Sequence, residues 1–202
     1  MQTQLHFAQS ETVMSDLTKI SQFANAMLGA ATLDDLLWTI TEYIGEELGF
    51  DDCVIYLSDN NILIQKSAFG IKNTNDRNLL NKISIPIGNG IVGSVAQNKV
   101  AEIVADTSID RRYILDEFNG KSEITVPIIY ENETIGIIDS ESSLLNAYKL
   151  SDLDLLQVIA NIAAPRITSA QYCAKLKETQ LQLEQSNHEL ATSLKQLKKN
   201  QD

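Results

Sequence analysis

Residues 122–141 read Ser122-Glu-Ile-Thr-Val-Pro-Ile-Ile-Tyr-Glu-Asn-Glu-Thr-Ile-Gly-Ile-Ile-Asp-Ser-Glu141. Two runs rich in β-branched residues, 124–130 and 134–139, flank the turn Glu131-Asn132-Glu133, the pattern of an antiparallel hairpin. A second hairpin lies upstream: Cys53-Val-Ile-Tyr-Leu57, the turn Asp59-Asn60-Asn61, and Ile62 to Phe69. Between the hairpins, short strands are expected at Ile83–Ile87, where Pro86 favours a sheet edge, and at Val100–Val104. A brief helix is expected over 91–97 and a polar, Asn-rich loop over 71–82. Hairpin-joined strands with helices at both ends of the chain predict α+β architecture, with an antiparallel sheet of about six strands.

Two helices lead in. Val13, Leu17, Ile20, Ala24, Met27 and Ala31 form one stripe of an amphipathic helix near residues 12–30. Thr32, with Asp35 three residues on, opens a second helix whose buried face is Leu33, Leu36, Leu37, Ile40, Ile44 and Leu48, and Gly49 ends it. After the sheet, Ser151 and Asp154 form a capping box for a long helix through Leu155, Leu156, Ile159 and Ile162, which Pro165 is expected to interrupt or kink. Beyond it, Leu176, Leu183, Leu190 and Leu197 repeat every seven residues, preceded at each a position by Cys173, Gln180, Asn187 and Leu194. A leucine seam without a partner is a poor monomer, so the pattern predicts a parallel dimeric coiled coil, with Gln180 and Asn187 weakening the seam while fixing its register. The expected organisation is a disordered tail over 1–11, one α+β domain over 12–170 and a coiled-coil linker over 171–202. The expected dimer interface is Val13, Leu17, Ile20, Leu176, Leu183, Asn187, Leu190, Leu194 and Leu197.

Composition narrows the function. The 202 residues carry 16 Lys+Arg against 27 Asp+Glu, a formal net charge of −11. That opposes binding modes that need a basic footprint, such as nucleic acid or anionic lipid. No apolar run has the length of a membrane span and the start has no secretory pattern, so a cytoplasmic protein is expected. Cys53 and Cys173 form no CxxC pair and no disulfide framework. His6 and His188 lie in the two tails, so the globular part offers no imidazole for metal, haem or a Ser/His/Asp set. Enzyme chemistry is therefore unsupported, and no metal is expected.

Gly88-Asn-Gly90-Ile-Val-Gly93 matches GxGxxG, but only residues 88–99 separate the flanking strands, too few for a right-handed βαβ crossover. The glycines instead read as a tight turn with close backbone packing. The carboxylates Asp106, Asp110, Asp116, Glu117, Glu123, Asp139 and Glu141 read mostly as solvated charge, because nothing in their spacing forces two into one dry pocket. Asp139 continues an apolar run and shares the face of Ile135 and Ile137. It is either a wet strand end or a polar anchor at a pocket rim.

Taken in order, these segments resemble the GAF domain family of small-molecule sensors and dimeric regulatory modules. Ile87-Gly-Asn-Gly-Ile-Val-Gly93 is similar to its central turn. Val104-Ala-Asp106-Thr107 with Asp110-Arg-Arg-Tyr113 is similar to its D…D-x-R-Y stretch, and residues 122–128 with 134–141 to its last hairpin. The resemblance covers about residues 15–170 and implies a ligand pocket with contacts from Tyr56, Phe69, Ile91, Asp106, Tyr113, Ser122, Thr125 and Asp139. The chain departs from the subtypes with known chemistry. At the positions of the cyclic-nucleotide motif stand Asp139-Ser140, Tyr148 and Asp152-Leu153. Haem and bilin members need a core histidine or a suitably placed cysteine, and methionine-sulfoxide-reducing members need several core cysteines, so neither haem nor bilin is expected and the ligand stays open.

Residues 184–190 and 194–201 resemble the coiled linker of sensor histidine kinases, and diguanylate cyclases use similar linkers. The resemblance implies a non-enzymatic input module of a bacterial signalling protein, a homodimer with a possible small-molecule ligand and an output domain outside these residues. The alternatives are a ligand-free dimerisation domain whose pocket is filled by its own side chains, and, from another class, a methionine sulfoxide reductase.

Overall fold

The computed structural model describes residues 2–74, 77–116 and 118–199, with side chains placed from residue 14 to residue 197. In chain order the elements are α1 (Gln2–Leu28), α2 (Leu33–Glu46), β1 (Cys53–Asp59), β2 (Ile62–Phe69), β3 (Asn73–Thr74), β4 (Asn78–Leu79), β5 (Ser84–Pro86), α3 (Gly90–Asn98), β6 (Glu102–Val104), β7 (Ser122–Tyr130), β8 (Glu133–Ser142) and α4 (Leu150–Lys199). Six strands form one sheet in the order β5-β2-β1-β8-β7-β6, and every neighbouring pair is antiparallel. The expected α+β class is the observed one. β5, with Pro86, is an edge strand, where a residue without an amide donor costs no ladder bond. It and β6 lie at opposite edges, so α3 and its flanking turns carry the chain across the sheet rather than closing a parallel βαβ unit.

Strand alternation sorts side chains between two cores. Cys53, Ile55 and Leu57 of β1, Ile124, Val126 and Ile128 of β7, and Ile138 of β8 face α1, α2 and α4, where Phe23, Leu37, Ile40, Leu156, Ile159 and Ile167 are buried. Val54 and Tyr56 face the other way, toward Leu63, Ile85, Ile137 and Val92 and Val95 of α3. The β7–β8 ladder slips between Ile128 and Ile129, leaving Ile135 as an extra residue. The bulge turns Ile135 to the α4 side, so Asp139 shares a face with Ile137 but not with Ile135 as the alternation predicts.

The helix ends follow local chemistry. Thr32 Oγ1 accepts from the Asp35 amide at 3.1 Å and donates to Asp35 Oδ2 at 2.8 Å. Helix α4 starts two residues earlier than the Ser151 capping box implies. Asp152 Oδ2 accepts from the Lys149 amide at 2.7 Å, and the helix opens at Leu150. Pro165 does not interrupt it: α4 is continuous for 50 residues with Pro165 inside and exposed. One ladder bond is lost because proline has no amide hydrogen, while Ala163, Ala164 and Ile167 stay buried and hold the turn in place. At the other end, α1 begins at Gln2 and runs through the segment read as a tail, although the Val13 side chain lies outside the described residues. Phe23 and Met27 anchor α1, and Arg166 Nη2 donates to the Met27 carbonyl at 3.1 Å, placing a guanidinium at the negative end of that helix.

Candidate functional site

The same alternation that buries the core sends Glu123, Thr125, Asp139 and Glu141 to the α3 side of the sheet. Register then fixes their neighbours: Thr125 pairs with Asp139, Glu123 with Glu141, and Val54 of β1 with Asp139. Four of the carboxylates read as solvated charge, Asp116, Glu123, Asp139 and Glu141, are instead gathered into one largely dry cluster. Glu123, Asp139 and Glu141 are each only 3% exposed, and Asp116 joins them from the loop before β7, while Glu117 lies outside the described residues.

A lysine that the sequence reading passed over closes the cluster. Lys72 ends a single 3₁₀ turn, Gly70–Lys72, that follows β2. Gly70 has φ +84°, and a Cβ there would lie 2.6 Å from the Asp51 carbonyl oxygen, so the turn packs tightly against the start of β1. That places the Lys72 ammonium 2.9 Å from each of Asp52 Oδ2, Asp116 Oδ2 and Glu141 Oε2. Glu141 Oε2 accepts a hydrogen bond from the ammonium, and Asp52 and Asp116 meet it as ion pairs. Lys72 is 2% exposed and Asp52 fully buried.

Burial penalises every charge here, and the partners decide how far. Burial alone would lower the Lys72 pKa, but Asp52, Glu141, Asp139 and Asp116 outweigh it and raise it, so the group stays charged. Burial raises Asp52 to about 6 against the opposing pull of Lys72. Burial and the Asp139 charge raise Glu141 to about 8, again opposed by Lys72. Among the described residues no cation lies beside Glu123. Burial, then Asp139 and Glu141, push it up to about 11, so it is protonated at neutral pH and donates to Asp139. Asp139, itself raised by burial, also accepts from Thr125 Oγ1 at 2.7 Å.

The space left beside these groups is small. The chamber between Tyr56, Ile91, Glu123, Asp139 and Glu141 holds about 20 Å³, room for about one water. Outside it, a cavity of about 280 Å³ is walled by Leu80, Ile83, Ile85, Ile114 and Leu115, with Lys72 and Asp116 also on its wall. Above both, the GxGxxG turn makes close packing possible. Gly88 and Gly90 have φ of +92° and +69°, and a Cβ on Gly93 would meet the Pro86 carbonyl oxygen at 2.6 Å.

Of the expected pocket residues, Tyr56, Ile91, Asp139 and Thr125 meet at this chamber. Tyr113 is next to it, its hydroxyl accepting from the Gly120 amide and donating to the Phe118 carbonyl. The other three lie elsewhere. Phe69 covers Gly45 of α2, so that a Cβ on Gly45 would lie 2.0 Å from its ring. Ser122 Oγ donates to the Leu144 carbonyl. Asp106 caps the turn at Ser108, whose amide it accepts at 2.9 Å. Among the described residues no group of His, Cys, Asp and Glu is arranged to hold a metal ion, and no helix is long and apolar enough to cross a membrane.

A family model for the GAF domain matches residues 30–168, which takes in the whole sheet and the docked part of α4. The chain belongs to the GAF domain family. Its fold is similar to the GAF domain of the Acinetobacter phosphoenolpyruvate-protein phosphotransferase, with a TM-score of 0.69 and 18% identity, covering 77% of this chain and 94% of that one. It is likewise similar to the Neisseria meningitidis free methionine-R-sulfoxide reductase in complex with its substrate, with a TM-score of 0.67 and 21% identity over 76% of this chain and 89% of that chain. In sequence, the GAF chain is 30% identical over 82 residues to the free methionine-R-sulfoxide reductase of Escherichia coli K12, 40% of this chain and 49% of the relative. The match thus spans about half the length of that enzyme.

Proposed function

We propose that this GAF domain is a non-enzymatic regulatory module of a bacterial signalling protein, dimeric through its terminal helices and coupled to an output domain through α4. The observation that carries the reading is the far half of that helix. Leu176, Leu183, Leu190, Leu194 and Leu197 are each more than half exposed, in line, on a helix of 50 residues. Helices in proteins draw most of their stability from packing an apolar face, and a heptad leucine seam is satisfied by a second copy. The likeness of residues 184–201 to histidine-kinase linkers favours that class of output.

The reductase reading has less support. Sulfoxide reduction by a GAF protein needs thiolates beside the substrate, and the sequence has two cysteines in all. Cys53 points to the helix-side core, fully buried, and burial holds its thiol well above the ordinary range. Cys173 is exposed on α4 beyond the sheet. Neither lines the chamber or the outer cavity.

Light scattering and turnover test both halves. The intact chain is expected to be a dimer at tens of micromolar, an order-of-magnitude concentration above a weak Kd, and a chain ending near residue 170 to dissociate. No reduction of free methionine sulfoxide is expected. A monomeric intact chain would refute the coil, and turnover lost on replacing both cysteines by serine would establish the enzyme instead.

A further inference from the structure

The carboxylate chamber has the form of a binding site already in use. Asp52, Asp116 and Glu141 converge on one nitrogen at 2.9 Å each, which is recognition of a primary ammonium by three acceptors. The strands and loops that carry the acceptors do not carry the donor. Lys72 comes from the turn after β2 and reaches in from the side of the 280 Å³ cavity. Acceptors exceed donors: both Asp52 carboxylate oxygens are buried without a hydrogen-bond partner, Oδ2 meeting Lys72 as an ion pair only, a shortfall that a fully self-contained cluster would not show. Beside the cluster, only about 20 Å³ is open between Asp116, Glu123, Asp139 and Glu141.

We propose that this chamber is a primary-ammonium site that the chain fills with its own Lys72, so that Lys72 acts as a tethered ligand excluding external ligands from the carboxylates. The proposal rests on the reading of the domain as non-catalytic, but dimerisation and turnover do not enter its test. An anion is disfavoured here, because three carboxylates surround the one ammonium. A quaternary ammonium has no N–H to offer the three oxygens. The class that fits is an unbranched alkylammonium, and it fits only when Lys72 is absent or withdrawn into the outer cavity. The wall of that cavity, Ile83, Ile85, Ile114 and Leu115, suits the alkyl part.

Lys72→Ala deletes three methylenes and the ammonium, the atoms of n-propylammonium. Thermal unfolding of wild type and Lys72→Ala is measured against n-propylammonium chloride, with tetramethylammonium chloride and n-propanol as controls for ionic strength and for shape. Lys72→Ala is expected to lose stability and to regain it saturably with n-propylammonium alone, at least about tenfold more responsively than wild type. Equal responses to tetramethylammonium, no saturable response, or saturable binding to wild type as strong as to the variant would each overturn the proposal. Should Lys72→Ala fail to fold, wild type labelled with ¹⁵N in its lysine side chains decides. One ammonium with slowly exchanging protons at neutral pH, absent from Lys72→Gln, is expected, and its absence from wild type would refute the seated lysine.

Discussion

The buried acids make stability depend on pH in an unusual direction. Asp52, Glu123, Asp139 and Glu141 all have folded pKa values raised above the ordinary carboxylate range. The folded chain therefore holds protons that the unfolded chain has released, and stability present at low pH is lost as pH rises. Asp52 completes its contribution near pH 6 and Glu141 near pH 8, whereas Glu123 remains protonated up to about 11. Across pH 6 to 8, Glu123 alone contributes a slope of about −1.4 kcal/mol per pH unit, or about 3 kcal/mol over the window. Lys72 acts only above the ordinary lysine range, and the lowered Asp110 only near pH 4, so neither offsets the slope within it. Glu123→Gln preserves the shape and keeps a donor for Asp139 but cannot release a proton. Urea unfolding at constant protein concentration, at half-unit steps of pH, gives both slopes. Wild type is expected to lose stability from pH 6 to 8, with a slope shallower in the variant by about 1.4 kcal/mol per unit. A flat or rising wild-type profile, or identical slopes in the two proteins, would refute the protonated Glu123.

Three other outcomes follow from the geometry. Gly93→Ala drives a methyl group into the Pro86 backbone, which cannot rotate away as a side chain could, and is expected to cost about 1–3 kcal/mol by denaturant unfolding. Pro165→Ala restores the missing ladder donor at an exposed position and is expected to raise stability, by up to ~3 kcal/mol, in calorimetry. Arg166→Ala removes the guanidinium from the Met27 carbonyl and is expected to speed amide exchange at the end of α1 while leaving β7 and β8 unchanged.

The sheet was legible because its strands carry their own punctuation. The turns at Asp59–Asn61 and Glu131–Glu133 hold Asn60, Asn61, Glu131 and Asn132 at positive φ, the conformation that two-residue hairpin turns need. The fate of Pro165 was not legible, because local propensity breaks a helix there while the buried turns on either side hold it. The site was half-legible. Once the hairpin is registered, residues 123, 125, 139 and 141 must share a face, and that pattern alone could have brought the carboxylates together. What hid them was the missing cation. Lys72 sits in a polar stretch with no periodicity, and only the backbone approach at Gly70 carries it to Asp52. Phe69 and Ser122 were misplaced for a related reason: each stands at a strand end, where the alternation no longer decides what a side chain meets.

Cys173 offers the most direct measurement of the dimer. At an a position one turn before Leu176, it would face its own counterpart in the parallel, in-register coil proposed above, where a disulfide needs a Cα separation of about 4.4–6.8 Å. Mild oxidation of the intact protein is expected to give a covalent dimer on non-reducing gels, abolished by Cys173→Ser and unaffected by Cys53→Ser. An intact chain that stays monomeric on such gels, or cross-links equally well without Cys173, would contradict the parallel coil on which the regulatory reading depends.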